Sequence, residues 1–111
     1  MKLRDAYKMH QKYPDSFDLP DPEEVRKISP GDFIKVCLTT GERVWILISE
    51  RSGDTFKGTL DNVCLSGGAS YGDRVELEVR HAYDILEGSP RSKKMAFENT
   101  HNTSEETRIG S

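Results

Sequence analysis

With 34% apolar and 32% charged residues in a chain of 111, there is room for one domain with a modest core and polar extensions, not for several domains. The net charge of −3 is distributed as 0 over residues 1–29, −4 over 30–87 and +1 over 88–111, so the central part lacks the basic excess that non-specific phosphate binding requires. Met1 to Lys8 is charged throughout, and no run approaches the roughly 18 apolar residues of a membrane span, which argues against a secretory leader and leads us to expect a cytoplasmic protein.

Leu3, Ala6, Tyr7 and His10 recur at helical spacing, and Tyr13-Pro14 closes the segment because a residue before proline avoids the α region. A short amphipathic helix is expected over Leu3 to Lys12. Asp15 to Pro22 reads as an extended strap. Asp21-Pro22-Glu23-Glu24 has the form of an N-cap, a proline in the first turn and two first-turn acids, predicting a short helix from Pro22 to Ile28 that docks Val25 and Ile28. Residues 1–29 therefore form an N-terminal helix and strap packing on the module that follows.

Ser29-Pro30-Gly31-Asp32 is a turn that launches a strand from Asp32 to Leu38. The stretch Gly41 to Leu60 then organises the domain. Val44, Ile46 and Ile48 alternate with Arg43, Trp45 and Leu47, Ser52-Gly53-Asp54 supplies a turn, and Phe56, Gly58 and Leu60 resume the alternation. Val63 to Ser66 reads as a short continuation before the Gly-rich loop Gly67 to Asp73. Arg74 to Arg80 alternates again, and His81 to Leu86 suggests a single helical turn capping one end.

Four or five short strands with no long helix between them indicate a mainly β fold, a small SH3-like antiparallel barrel over residues 30–87. Ile34, Val36, Val44, Ile46, Ile48, Phe56, Leu60, Val75, Leu77 and Val79 are its expected interior. Phe33, Cys37, Trp45 and Leu47 then share the opposite face, which must be covered by the N-terminal segment or used for binding. Residues 88–111 hold only Met95, Ala96, Phe97 and Ile109 as apolar residues, and a disordered polar tail is expected there.

The pattern Pro30-Gly31-Asp32, Glu42-Arg43-Val44-Trp45-Ile46, Gly53-Asp54-Thr55-Phe56-Lys57-Gly58-Thr59-Leu60-Asp61-Asn62, Tyr71-Gly72-Asp73-Arg74-Val75 and Arg80-His81 through Asp84-Ile85 resembles the YegJ-like family of small bacterial proteins. That family is a domain of unknown function. The resemblance spans about residues 29–86 and implies a compact β module of bacteria and their mobile elements, without an assigned activity.

No constellation of residues specifies a reaction. Histidines at 10, 81 and 101 and cysteines at 37 and 64 have no metal-ligand spacing, so neither a metal nor a cofactor is predicted. The same two thiols lack a redox-motif spacing and read as small apolar fillers. Ser66 to Gly72 has the glycines of a phosphate cradle but not the strand-to-helix context or lysine of a P-loop. The leading reading is a non-enzymatic binding module of a bacterium or phage, holding a protein or small ligand through Trp45, Phe33, Leu47 and Arg43 or through the loop end at Tyr71 and His81. A small hydrolase-like enzyme centred on His81 and Asp84 is the alternative. A nucleic-acid-binding barrel comes third, because Arg74, Glu76, Glu78 and Arg80 mix signs along one strand.

Overall fold

Arg43–Ser52 forms the longest strand, β2, and the sheet is built from its two halves. Its first half pairs antiparallel with β1 (Phe33–Cys37), from Cys37 opposite Arg43 to Phe33 opposite Leu47. Its second half pairs with β3 (Thr55–Leu60), from Ile46 opposite Leu60 to Ser52 opposite Thr55. The register shifts between Ile48 and Glu50, a bulge of the kind that bends a strand and increases its twist. The structure is a computed structural model and describes residues 2–16, 18–62 and 70–97. β4 (Arg74–Glu78) pairs with β3, and β5 (Asp84–Leu86) with β1, giving the order β4-β3-β2-β1-β5.

The sheet is open, which corrects the expected barrel. β4 stops at Glu78, and a 3-10 turn, Val79–His81, leads the chain to the opposite edge, where only three residues remain to pair with β1. His81 Nδ1 accepts the Glu78 N–H at 2.9 Å, tying that turn back to the end of the strand. The helical turn expected over His81 to Leu86 therefore lies two residues earlier, and its second half is the strand β5.

Alternation places one face of every strand in a common core. Ile34, Val36, Val44, Ile46, Ile48, Phe56, Leu60, Val75 and Leu77 are buried with Ile28, Leu38 and Ala82, while Val79 and Ile85 pack at the margin. Gly58 sits where β2 and β3 approach so closely that a Cβ would collide with the Leu47 carbonyl and the Ile46 side chain.

Two short helices precede the sheet. In α1 (Ala6–Lys12) the Asp5 carboxylate caps the Lys8 N–H, and the buried residue is Ala6, with Tyr7 exposed instead of facing inward. Leu3 lies outside this helix, bridges Leu38 and joins the main core. In α2 (Pro22–Lys27), Pro22 opens the first turn and Glu24 accepts the Asp21 N–H at 3.5 Å.

The chain beyond β5 departs most from expectation. Residues 90–97 form a third helix, α3, with Ser92 and Ala96 buried. Ser92 Oγ donates to the Gly31 carbonyl at 2.8 Å, and the buried Asp32 carboxylate accepts the Gly88 N–H at 2.8 Å and the Ser29 N–H at 3.0 Å. The first part of the expected disordered tail is thus docked on the turn that launches β1. The remainder of that tail, and the expected continuation at 63–66 with Cys64, lie outside the described residues.

Candidate functional site

The outward face of β1, β2 and β5 carries the residues that the inward pattern excludes. Lys35 lies opposite Trp45 on one side and Asp84 on the other, which sets the three in a row across the strands. Cys37 and Arg43 occupy the adjoining row. Tyr83 enters just before β5, donating its N–H to the Lys35 carbonyl at 3.2 Å. Its ring is buried in a second, smaller cluster with Ala6 and Cys37, against which Met9 and Leu19 pack.

Two cations converge on these rings. Lys35 Nζ stands 5.4 Å from the Trp45 ring centroid and 5.9 Å from that of Tyr83, and the Arg43 guanidinium carbon is 5.6 Å from the Tyr83 centroid. All three distances fall within the range of cation–π attraction. Lys35 is half-buried and makes no ion pair among the described residues. Burial pushes the Tyr83 hydroxyl up to about 12, against a downward pull from the Arg43 cation.

A cleft of about 280 Å³ opens beside this cluster, between the sheet and the segment that joins α1 to α2. Lys35, Arg43, Tyr83 and Asp84 line its floor, and Asp18, Leu19, Pro20 and Glu24 its opposite wall. The volume lies at the small end of ligand pockets, enough for one side chain or a compact small molecule.

The expected binding residues separate into groups. Trp45 and Phe33 are half-buried on this face and Arg43 is exposed, whereas Leu47 is only 2% exposed and offers nothing to a partner. Trp45 is fixed at its backbone, donating its N–H to Asn62 Oδ1 at 2.5 Å and accepting the Asp61 N–H at 2.9 Å. Tyr71 is 62% exposed in a turn next to the far end of β3, where Gly72 N–H donates to the Leu60 carbonyl. The Gly-rich loop preceding it lies largely outside the described residues.

His81 and Asp84 do not form the acid/base pair of the hydrolase reading. His81 Nδ1 already accepts the Glu78 N–H, and Asp84 Oδ1 accepts the Ile85 N–H at 2.9 Å; no hydrogen bond or ion pair joins the two side chains. Burial and the neighbouring Arg80 cation lower the His81 pKa, favouring the neutral ring that can accept this bond. Arg80 itself reaches both Glu78 and Asp5, linking this turn to the cap of α1.

Lys35, Tyr83 and Leu19 are the site residues missed by sequence reasoning. Lys35 shares the parity of Trp45 along its own strand, but only the strand register sets it opposite the indole. No family model, no curated protein and no solved structure matches this chain. Among the described residues no three His, Cys, Asp or Glu side chains gather as metal ligands, and no helix is long and apolar enough to cross a membrane.

Proposed function

We propose that this protein is a non-enzymatic binding module that holds a protein or small ligand on the outward face of β1 and β2, around Trp45, Lys35, Arg43 and Tyr83. The carrying observation is the Lys35 ammonium, on a half-buried side chain, within reach of two aromatic rings and in no ion pair among the described residues. An ammonium held against two rings still has N–H donors to offer, so a ligand can combine an acceptor for Lys35 with apolar contact to the rings beside it. Trp45 beside it supplies the rigid apolar area typical of interface anchors. The strand order, with a 3-10 turn between β4 and β5, supports an SH3-like architecture left open at its edges. The resemblance to YegJ-like proteins fits a small bacterial module and adds no activity to this reading.

A selection of random displayed peptides on the immobilised full chain tests it. Recovered peptides are expected to bind at least about tenfold more weakly to folded Lys35→Ala and Trp45→Ala variants, a loss of roughly 1.4 kcal/mol or more. Peptides whose affinity is indifferent to both substitutions would move the site elsewhere.

A further inference from the structure

Alternate residues of an antiparallel strand bond to the same neighbour. The Val79 N–H, just past β4, donates to the Asp54 carbonyl at 3.0 Å, so the Glu78 N–H, one residue earlier, faces away from β3. β4 is the outermost strand on that side of the sheet, and among the described residues this amide has no ladder partner there. Its acceptor is His81 Nδ1, three residues on, at 2.9 Å. A titratable ring thus closes the backbone at the point where the chain leaves the sheet edge.

That bond exists only with a neutral ring. An imidazolium carries a hydrogen on both nitrogens, so protonation sets an N–H donor against the Glu78 N–H. The charged groups around the half-buried ring are Arg80 on its own turn, Glu78 at the end of β4 and Asp5 at the N-cap of α1. Burial and the Arg80 cation disfavour the imidazolium, the two carboxylates favour it, and the balance holds the His81 pKa below 6.5. The folded state therefore takes up this proton less readily than the unfolded chain. Stabilisation from the neutral ring is complete above pH 6.5 and is lost as pH falls through the lower folded value. Burial works to raise the Asp5 carboxyl, but hydrogen bonds from Lys8 and Arg80 outweigh it and hold its pKa below the ordinary value, so Asp5 keeps its charge through the upper part of that fall.

The same turn is tied to α1 and leads into β5. Arg80 reaches Glu78 Oε2 at 2.9 Å and Asp5 Oδ2 at 3.4 Å, while Asp5 Oδ1 caps the Lys8 N–H, and α1 packs on the turn. Two residues past His81, the Tyr83 N–H reaches the Lys35 carbonyl, and Asp84 begins β5. We propose that the turn at Val79–His81 is an acid-released latch: protonation of His81 breaks its bond to the Glu78 N–H and loosens the turn, the Arg80–Asp5 tie to α1 and the entry into β5. Below the transition α1 and β5 open while the main core stays closed. The latch goes beyond the binding reading and does not depend on it.

The test is an NMR pH titration of the isotope-labelled full chain. The Glu78 amide proton is expected to move upfield as His81 protonates, with one shared midpoint below 6.5. Hydrogen-exchange protection at Met9, the first helical bond of α1, and at Tyr83 is expected to fall about tenfold from about pH 7.5 to about pH 5, with that of Ile48 unchanged. His81→Asn supplies a non-titrating acceptor close to the Nδ1 position and is expected to keep both protections within about twofold over the same range. His10 and His101 are common to both chains, so the difference between the chains belongs to His81. An equal fall in the two chains, or one shared by Ile48, would overturn the inference, as would a His81 midpoint at or above 6.5. Should the Asn variant not fold, the parent decides alone: a Glu78 amide that stays in place while His81 protonates removes the latch.

Discussion

At the residue scale, Tyr83 links the outer face to stability. Its hydroxyl is pushed up to about 12 by burial, whereas an unfolded tyrosine titrates near 10. The folded state therefore favours the neutral phenol, and the resulting stability is fully present below pH 10 and lost as pH rises through the window from 10 to about 12. The two-unit difference corresponds to about 2–3 kcal/mol at the upper end of that window. Urea midpoints measured across it are expected to fall more steeply for the parent chain than for Tyr83→Phe, and parallel slopes would show that this ring does not carry the effect. Lys35 and Arg43 lie over the same ring, so titrating it also changes the electrostatics of the candidate site.

At the element scale, α3 shows how a short polar stretch becomes structure. Ser89-Pro90 is a helix start readable in the sequence: Ser89 Oγ accepts the Ser92 N–H at 3.1 Å, and proline sits in the first turn. Propensity alone would not hold so short a helix, which gains its stability by docking. Gly31, at φ +96°, lies where a Cβ would meet Lys93, and a Cβ on Gly88 would overlap the Gly31 carbonyl. Ser92→Ala is expected to cost about 1–2 kcal/mol by leaving the Gly31 carbonyl without its donor, and Gly88→Ala is expected to cost more. Lys94→Ala, an exposed change on the same helix, should stay within about 0.5 kcal/mol. A chain ending at Glu87 with an unchanged denaturation midpoint would contradict the docking.

At the scale of the whole molecule, two apolar clusters of unequal size lie on opposite faces of one sheet. The larger draws on all five strands, and the smaller joins Ala6, Met9 and Leu19 to Cys37 and Tyr83. Local openings follow the distribution of buried contacts, so α1 should separate from the sheet without global unfolding. Native-state hydrogen exchange is expected to show the Met9 and Tyr13 amides, bonded within and just after α1, exchanging well before those of Ile48 and Leu60, which bond to Asp32 and Asp73 across the core. Equal protection of the two sets would mean that α1 and the sheet open as one unit.

The sequence by itself determined the inward face. Alternation at Val44, Ile46 and Ile48 and at Val75 and Leu77 is a local signal, since a strand repeats every two residues whatever it pairs with. The turn at Gly53-Asp54 and the cap at Asp21-Pro22 were legible for the same reason. Only the tertiary structure decided the rest. Whether five strands close or stay open depends on which edges meet, and the 3-10 turn at Val79–His81 delivers β5 to β1, away from β4. The order in residues 90–97 comes from Gly31 and Asp32, distant in sequence, because a short polar helix is stable only where its backbone and its few small side chains find a seat. The candidate site is likewise a product of register: Lys35, Trp45, Tyr83 and Leu19 come from four separate stretches, and no local pattern marks a cation that comes to lie within reach of two rings.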